Sequence, residues 1–231
     1  MNNGRGLAAV SAVACDLDGT LLDTLPDLAE AGNRMLADLG RAPVSTQTVR
    51  SFIGNGIPRL TKRLLTGQLD GEPPADLFAH ALQRFEAHYA QTLTLLSKPY
   101  PDVEAGLLRF TQLGLRLACV TNKAESFTLP LLRAAGLHRF FQLVVSGDSL
   151  PRKKPDPMQL LHCAEQFGIT PARLLVIGDS ESDAQAARAA GCPLFCVPYG
   201  YTRTGVRDLN CDVIVSSLLE AAALVTPLLI S

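Results

Sequence analysis

The chain has 231 residues, of which 47% are hydrophobic and 19% are charged, a composition typical of a globular protein and not of a disordered one. Its formal net charge of −1 argues against general binding to nucleic acids or membrane surfaces, where basic residues would be in excess. No apolar run is long enough to cross a membrane, and the six cysteines show no disulfide pattern, so we expect a reduced, cytoplasmic protein.

The first predicted strand is the apolar segment LAAVSAVACD, residues 7–16. Its start resembles a short signal peptide, but cleavage there would remove the strand that carries Asp16, so we interpret it as a buried strand. Asp16 and Asp18 follow it, separated by one leucine. On an extended strand such side chains point the same way, roughly 6–7 Å apart. Two carboxylates this close repel each other unless a cation lies between them.

Residues from about Asp23 to Leu96 show helical patterns only, with no convincing strand. The predicted helices cover residues 25–40, 45–54, 57–65 and 75–96. A helical block inserted after the first strand predicts a second, smaller domain on two hinges, which is the arrangement of a lid. We therefore divide the chain into a core of residues 1–22 and 97–231 and a helical cap of residues 23–96.

From residue 97 onward, helices alternate with short apolar strands. The helices are predicted to end at Gly114, Gly136, Gly168 and Gly191, since glycine is common just after a helix, and Asp102 is placed to cap the first of them. The strands are predicted at residues 115–122, 141–148, 173–179, 193–200 and 211–217. This alternation predicts an α/β fold, a doubly wound (Rossmann-like) parallel sheet covered on both faces.

Several predicted strands end in polar side chains, at the edge where open α/β sheets bind ligands. Together with a lysine from the loop RKKPDP, they are Asp16, Asp18, Thr121, Asn122, Lys154, Asp179 and Asp183. A hydroxyl and an ammonium group suit phosphate oxygens, and carboxylate oxygens suit Mg²⁺. A Mg²⁺ ion shared by Asp16 and Asp179 would offset the repulsion between the carboxylates. This set of groups favours phosphoryl transfer, which needs mainly positioning and charge neutralisation.

Four ordered motifs resemble those of the haloacid dehalogenase superfamily: D-x-D-G-T at residues 16–20, a strand ending in Thr121, Lys154 before a proline, and G-D-x-x-x-D at residues 178–183. The helical insertion is similar to the phosphatase branch with a small helical (C1-type) cap. The segments FIGNGIPRL, VTNK, KKPDP, IGDSESDAQAARAAGC and YGY are similar to bacterial phosphoglycolate phosphatases. The resemblance covers nearly the whole chain and implies Mg²⁺-dependent hydrolysis of a phosphomonoester, 2-phosphoglycolate above all.

The same resemblance implies roles for the acidic residues. Asp16 attacks phosphorus and forms an aspartyl-phosphate, while Asp18 protonates the leaving alkoxide and then deprotonates the attacking water. Asp16, the main-chain carbonyl of Asp18 and Asp179 hold Mg²⁺. Asp183 lies behind them and orients Lys154 or a metal-bound water.

Two further groups of residues are expected to contact the substrate. The phosphate is bound by Gly19, Thr121, Asn122 and Lys154, with Gly19 and Asn122 acting through backbone amides. Substrate selectivity is assigned to Gly54, Asn55, Gly56 and Arg59, although the sequence GNG is equally consistent with a simple turn between helices. Arg59 and the neighbouring basic side chains either meet a substrate carboxylate or face water.

Alternative functions remain open at this point. A phosphatase acting on a sugar phosphate or on an amino-sugar phosphate of cell-wall recycling has the same motifs, because the cap sets selectivity, and a phosphomutase is built similarly. A phospho-acceptor signalling module also carries phosphate on an aspartate, but such modules are shorter and lack the cap. The expected partner is a small phosphorylated metabolite, and the chain is expected to act as a monomer or a homodimer.

Overall fold

The computed structural model describes residues 10–225, so residues 7–9 of the predicted first strand lie outside the described part. Eight strands are present there: β1 Ala12–Cys15, β2 Leu22–Asp23, β3 Lys98–Pro99, β4 Arg116–Val120, β5 Leu143–Val145, β6 Leu174–Gly178, β7 Leu194–Cys196 and β8 Val213–Ile214. The same part contains nine α-helices: α1 Leu25–Asp38, α2 Thr46–Phe52, α3 Ile57–Thr66, α4 Ala75–Thr92, α5 Val103–Gln112, α6 Glu125–Ala134, α7 Met158–Gln166, α8 Glu181–Ala190 and α9 Leu218–Leu224.

Six of the strands form a parallel sheet in the order β5-β4-β1-β6-β7-β8. The chain runs outward from β1 through β4 to β5, and then continues on the other side of β1 through β6, β7 and β8. The predicted fold class is thereby confirmed. The order reverses at β1, and ligands of open α/β sheets bind in the crevice outside the carboxyl ends of the strands at such a point.

The strand sequences alternate between two hydrophobic layers, one on each face of the sheet. In β1, Val13 and Cys15 pack into one layer, while Ala12 and Ala14 pack into the other. Side chains on a strand point to opposite faces in turn, and both faces are covered here by helices. This explains why the strand segments are almost continuously apolar and carry their polar residues only at the ends.

The helices α1 to α4 fill the segment that was predicted to be helical. The chain enters this segment through β2 and leaves it through β3, and these two short strands pair antiparallel, Leu22 opposite Pro99 and Asp23 opposite Lys98. Neither strand was predicted, because two residues are too few to show a periodic pattern. Their pairing places the entry and the exit of the helical segment side by side.

A buried carboxylate ties α1 to the returning chain. Asp27 is fully buried, and its carboxylate accepts hydrogen bonds from Leu96 N (3.0 Å), Ser97 N (2.8 Å) and Ser97 Oγ (2.5 Å). Each such bond to a charged group contributes about 1.5–3 kcal/mol. Asp27 therefore holds the start of α1, where the chain enters the helical segment, against residues 96–97, where the chain leaves it.

Three further expectations concern local structure and environment. Asp102 occupies the N-cap position of α5, but the predicted side-chain cap is wrong: its φ is +62° and it makes no capping hydrogen bond. All six cysteines are free, and five of them are buried. Within residues 10–225, no helix combines the length and the apolar character that a membrane span requires.

Candidate active site

The loop after β1 presents two carboxylates on either side of a buried leucine. Leu17 is fully buried, and its carbonyl accepts hydrogen bonds from Leu21 N and Leu22 N, both at 2.9 Å. The tight turn that results fixes the loop against the core. Asp16 and Asp18, which flank Leu17, both line a cavity at the carboxyl ends of the central strands.

This cavity has a volume of about 80 Å³ and two kinds of wall. Its floor, as we name it, consists of residues at the edge of the sheet: Asp16, Asp18, Thr121, Asn122, Lys123, Lys154 and Asp179. Its roof comes from the helical segment and consists of Leu28, Ile53, Gly54, Asn55, Gly56, Ile57 and Leu60. The structure therefore brings the acidic and phosphate-binding residues predicted from separate loops together in one place.

Lys154 lies at the centre of the floor and is buried. Its Nζ donates to Asp16 Oδ1 (2.7 Å), to Asp183 Oδ1 (2.6 Å) and to the carbonyl oxygen of Val120 (2.7 Å). Burial disfavours the charged form, but Asp16 and Asp183 outweigh it and raise the pKa of Lys154 above its usual value. All three donors of the ammonium group are thus engaged, two by carboxylates and one by a backbone carbonyl.

Asp183 is held from both sides. Its Oδ1 accepts from Lys154, and its Oδ2 accepts from Ser180 N (3.1 Å) and Ser180 Oγ (2.6 Å). Asp183 N donates in return to Ser180 Oγ (3.3 Å), and this bond and the one from Ser180 N form a capping box at the start of α8. A Cβ at Gly178 would lie 2.5 Å from the Asp183 carboxyl carbon. The spacing G-D-x-x-x-D therefore has a structural reason: Asp183, in the first turn of α8, is buried beneath the loop that carries Asp179.

Asp179 is enclosed by two other loops. Its Oδ1 accepts from Thr20 Oγ1 (3.1 Å) and its Oδ2 from Tyr201 N (2.5 Å). A Cβ at Gly19 would lie 2.6 Å from Asp179 Oδ2, and one at Gly200 would lie 2.2 Å from it. Both positions therefore require glycine, because any side chain would collide with the carboxylate.

The structure corrects the role expected for Gly19. Its amide N–H donates to the carbonyl of Leu22 at 2.9 Å and closes the turn after β1, so we no longer assign it to the phosphate. What Gly19 contributes is a φ of +90° and the close approach to Asp179.

The second loop of the floor is held by a glutamine that no sequence motif marks. Gln159 donates through Nε2 to the carbonyls of Thr121 (3.1 Å) and Ser146 (2.9 Å), and its Oε1 accepts from Lys154 N (3.1 Å). Asn122 Nδ2 donates to the Lys154 carbonyl at 2.8 Å. The loops that carry Thr121 and Lys154 are therefore bound to each other, which fixes their distance across the floor.

Asp18 has a cationic neighbour to which no role was assigned from the sequence. Lys123, the last residue of VTNK, places its Nζ 3.1 Å from Asp18 Oδ1. Burial lowers the pKa of this lysine, but Asp18 and Tyr89 together raise it by more, so the ammonium stays charged. The signal available in the sequence was only its position after Thr121 and Asn122.

The acidic residues of the floor interact strongly with each other. Burial raises the pKa of Asp16 to about 7 and outweighs the ion pair with Lys154, which lowers it, while Asp183 and Asp18 add smaller increases. Burial also raises the pKa of Asp179 well above its ordinary value, as do Asp16 and Asp183. These carboxylates therefore resist being ionised together unless positive charge is added.

A metal ion fits this donor set. One oxygen each from Asp16, Asp179 and Asp183 lies within 4.8 Å of the others. Apart from Glu181 and Arg203, whose opposite charges cancel, the site contains four carboxylates and two ammonium groups, those of Asp16, Asp18, Asp179, Asp183, Lys123 and Lys154. When all are ionised, the excess of negative charge equals the charge of one divalent cation. Asp16 and Asp179 line the cavity whereas Asp183 lies behind it, so Asp16 and Asp179 are the better placed ligands.

The GNG loop lies against the sheet edge. Gly54, Asn55 and Gly56 have φ values of +116°, +68° and +87°. The Asn55 carbonyl accepts from Lys153 Nζ at 3.2 Å, and a Cβ at Gly56 would lie 3.2 Å from the Asn122 carbonyl oxygen. All three loop residues line the cavity.

Of the two arginines Arg59 and Arg203, only Arg203 lines the cavity. Arg59 lies outside it and is paired with Asp70 (2.8 Å) and Glu72 (2.7 Å), so we no longer assign it to substrate selectivity. Arg203, in the loop after β7, lines the cavity and forms no ion pair with any residue in the range 10–225. No motif marked Arg203, since a single arginine in a polar loop carries no pattern.

Comparisons with known proteins agree with this geometry. Residues 10–191 match the family model described as haloacid dehalogenase-like hydrolase. A phosphoglycolate phosphatase of Thiobacillus denitrificans is 55% identical over 218 residues, covering 94% of this chain and 96% of the relative. One of Nitrosospira multiformis is 58% identical, with the same shares covered. The crystal structure of a predicted phosphoglycolate phosphatase from Haemophilus somnus matches with a TM-score of 0.89 and 32% identity, over 96% of this chain and 100% of that one. The chain therefore belongs to the haloacid dehalogenase-like hydrolases, the superfamily that its motifs resemble.

Proposed function

We propose that this chain is a phosphatase that hydrolyses 2-phosphoglycolate to glycolate and inorganic phosphate. The observation that carries the reaction type is the buried floor, where Lys154 holds Asp16 beside Asp179 in a cavity that Asp18 also lines. The substrate is supported by the two relatives above, which bear the name phosphoglycolate phosphatase at 55% and 58% identity.

In this proposal, Asp16 is the nucleophile. Lys154 binds its Oδ1, so we assign the attack to its other oxygen, Oδ2. A bond forms between Oδ2 and phosphorus while the bond between phosphorus and the glycolate oxygen breaks, which leaves an aspartyl-phosphate. Thr121, buried at the floor, offers its hydroxyl to the phosphoryl oxygens.

Asp18 is the general acid and then the general base. Its proton goes to the glycolate oxygen as that oxygen leaves. In the second step, a water molecule attacks phosphorus, Asp18 takes a proton from the water, and the bond from phosphorus to Asp16 breaks. Inorganic phosphate leaves, and both carboxylates return to their initial state.

The cofactor we propose is Mg²⁺, held by Asp16, Asp179 and the main-chain carbonyl of Asp18. Such a cation prefers oxygen ligands, and it neutralises charge on the phosphoryl oxygens when it is bound. Asp183 keeps Lys154 beside Asp16, so the nucleophile has one fixed cationic partner whether or not the metal is present.

The carboxylate of the substrate has a fitting partner at the edge of the cavity. Arg203 lines the cavity and has no acidic partner among residues 10–225. Arg63 is nearby and buried, and it donates only to the carbonyls of Leu69, Phe52 and Gly54. Burial lowers the pKa of Arg63, and the charge of Arg203 lowers it further. The two guanidinium groups are therefore close enough to repel each other, and they place two positive charges near the Arg203 side of the cavity. An ester with a second anionic group is therefore favoured over a neutral one.

A panel of phosphate esters tests the proposal. With Mg²⁺ present, we expect the highest kcat/KM for 2-phosphoglycolate and lower values for ethyl phosphate, glucose 6-phosphate and N-acetylmuramic acid 6-phosphate. A higher value for either sugar would assign the chain to the sugar phosphatases instead. A stable phosphorylated protein without turnover would favour a signalling role.

A further inference from the structure

Lys123 connects the floor of the cavity with the helical segment. Its side chain is only 3% exposed, its Nζ lies 3.1 Å from Asp18 Oδ1, and it donates to Tyr89 Oη at 3.0 Å. The ammonium also lies over the Tyr89 ring, 4.8 Å from its centre. A buried lysine is costly unless it is paired, and the contacts with Asp18 and Tyr89 offset that cost.

Asp18 is held unequally at its two oxygens. Oδ1 accepts a hydrogen bond from Thr24 Oγ1 at 2.6 Å and lies beside Lys123 Nζ. Oδ2 accepts no hydrogen bond from the part of the chain that the structure describes, and the side chain lines the cavity. One oxygen is thus anchored by two donors, and the other is left to face a substrate.

Tyr89 is itself fixed by both parts of the molecule. It belongs to α4, is fully buried, and packs its ring 5.1 Å from that of Phe127 in α6. Its hydroxyl reaches Lys123 from the side of the helical segment. The position of the ammonium, and through it the orientation of Asp18, therefore depends on where α4 lies.

We propose that Lys123 is a positioning residue for proton transfer: together with Thr24 it turns Asp18 so that Oδ2 faces the leaving oxygen, and Tyr89 makes this orientation depend on α4. The inference rests on the proposed function, in which Asp18 is the general acid. Lys123 also lines the cavity, but the role we propose for it acts through Asp18 and requires no contact with phosphorus or the leaving group.

The test compares two small esters that differ in their need for an acid. Glycolate leaves 2-phosphoglycolate as a poorly stabilised alkoxide and needs a proton, whereas acetate leaves acetyl phosphate without one. Because kcat/KM reports the steps up to departure of the leaving group, it excludes the later step in which Asp18 acts as a base. Positioned acids contribute about 10²–10⁴-fold, so we expect Lys123→Met to lower kcat/KM for 2-phosphoglycolate by about 10–100-fold and for acetyl phosphate by less than about 3-fold.

A double-mutant cycle gives a second readout that does not depend on the choice of ester. If Lys123 acts through Asp18, Lys123→Met has little further effect once Asp18 is replaced by asparagine. Tyr89→Phe keeps the ring on Phe127 and removes the hydroxyl, so we expect a smaller loss with the same selectivity for 2-phosphoglycolate. Lys123→Arg retains the charge and should restore part of the activity. Lys98→Met, at an exposed lysine, is the matched control and should leave both esters unaffected.

The outcomes separate the inference from the function on which it rests. If the unaltered chain hydrolyses neither ester, the proposed function is wrong. If it is active and Lys123→Met lowers kcat/KM equally for both esters, or multiplies the loss caused by Asp18→Asn, Lys123 does not act through the acid and the inference is overturned.

Discussion

The floor and the roof of the cavity are built from different materials. The floor consists of buried charged side chains that hold one another, such as Lys154 between Asp16 and Asp183. The roof consists of apolar side chains and of backbone at positive φ, from Gly54 to Gly56. Charges fixed at a sheet edge act on any phosphoryl group, whereas a surface of backbone and apolar groups distinguishes what the phosphoryl group is attached to. We therefore expect changes in the floor to affect all esters and changes near the roof to affect the choice among them.

The largest effect is expected for Asp16→Asn. The amide cannot attack phosphorus, so activity should fall by at least about 10³-fold for every ester in the panel. The fold should persist, because the amide has the same size and removes a buried carboxylate. Steady-state kinetics and thermal denaturation measure the two quantities, with Asp76→Asn at an exposed position of α4 as the control. Activity within about 10-fold of the unaltered chain would falsify Asp16 as the nucleophile.

Metal removal should have an effect of similar size on activity. We expect EDTA to abolish hydrolysis and excess Mg²⁺ to restore it. A ligand at about 100 times its Kd stabilises the fold by about 2.7 kcal/mol, which corresponds to a rise in Tm of roughly 5 °C or more. Asp179→Asn should remove most of this rise, because it removes one of the two best placed ligands.

The rise in Tm caused by Mg²⁺ should depend on pH. The pKa of Asp16 is about 7 in the folded, metal-free protein, above its ordinary value of 3.8. Across that interval the folded state retains a proton that the unfolded chain has lost, so the stability contributed by this group falls as pH rises towards 7. The cation competes with that proton, and the rise in Tm caused by Mg²⁺ should be larger at pH 8 than at pH 6. A larger rise at pH 6 would contradict the assignment of Asp16 as a ligand.

Arg203→Met tests whether this side chain binds the carboxylate of the substrate. A charge-assisted hydrogen bond contributes about 1.5–3 kcal/mol, so KM for 2-phosphoglycolate should rise by about 10–100-fold. Ethyl phosphate lacks the carboxylate, and its KM should change by less than about 2-fold. Arg207→Met, in the same loop but outside the cavity, is the matched control. Equal changes for both esters would show that Arg203 does not contact the carboxylate.

The smallest effect is expected for Gly56→Ala in the roof. A side chain at a φ of +87° is strained by about 1–2 kcal/mol, and its Cβ would press on the Asn122 carbonyl. We expect KM for 2-phosphoglycolate to rise by roughly 3–10-fold with kcat nearly unchanged. Gly40→Ala carries a similar strain at a φ of +65°, has nothing within 4 Å of the added Cβ, and lies outside the cavity. If both variants change KM alike, the effect comes from strain and not from the roof.

What the sequence predicts here depends on whether a residue stands at a recognisable position of a strand or helix pattern. Asp16, Thr121 and Asp179 were found because each directly follows a strand, and the ends of parallel strands meet at one edge. The contact between Tyr89 and Lys123 joins a helix to a strand-end loop across 34 residues, and neither residue stands in a repeating pattern. Long-range contacts of this kind follow from packing alone and leave no periodic signal.

Two errors in the predictions have a common cause. The amide of Gly19 was expected to be free, but it closes a turn with Leu22, and Asp102 was expected to cap α5, but its backbone is left-handed. In both cases the residue type and position were right. The hydrogen bond was not, because it depends on dihedral angles that several residue types adopt in tight turns.

The pairing of β2 with β3 has a consequence for how tolerant this architecture is. The chain enters the helical segment after Leu22 and returns at Pro99, which is paired with Leu22. The helices between them therefore form an insertion whose two ends lie side by side. The entropy of closing such a loop grows only with the logarithm of its length, about 0.6 kcal/mol for each doubling. Insertions of very different length or sequence can therefore be attached at the paired strands β2 and β3 without displacing Asp16 at the end of β1.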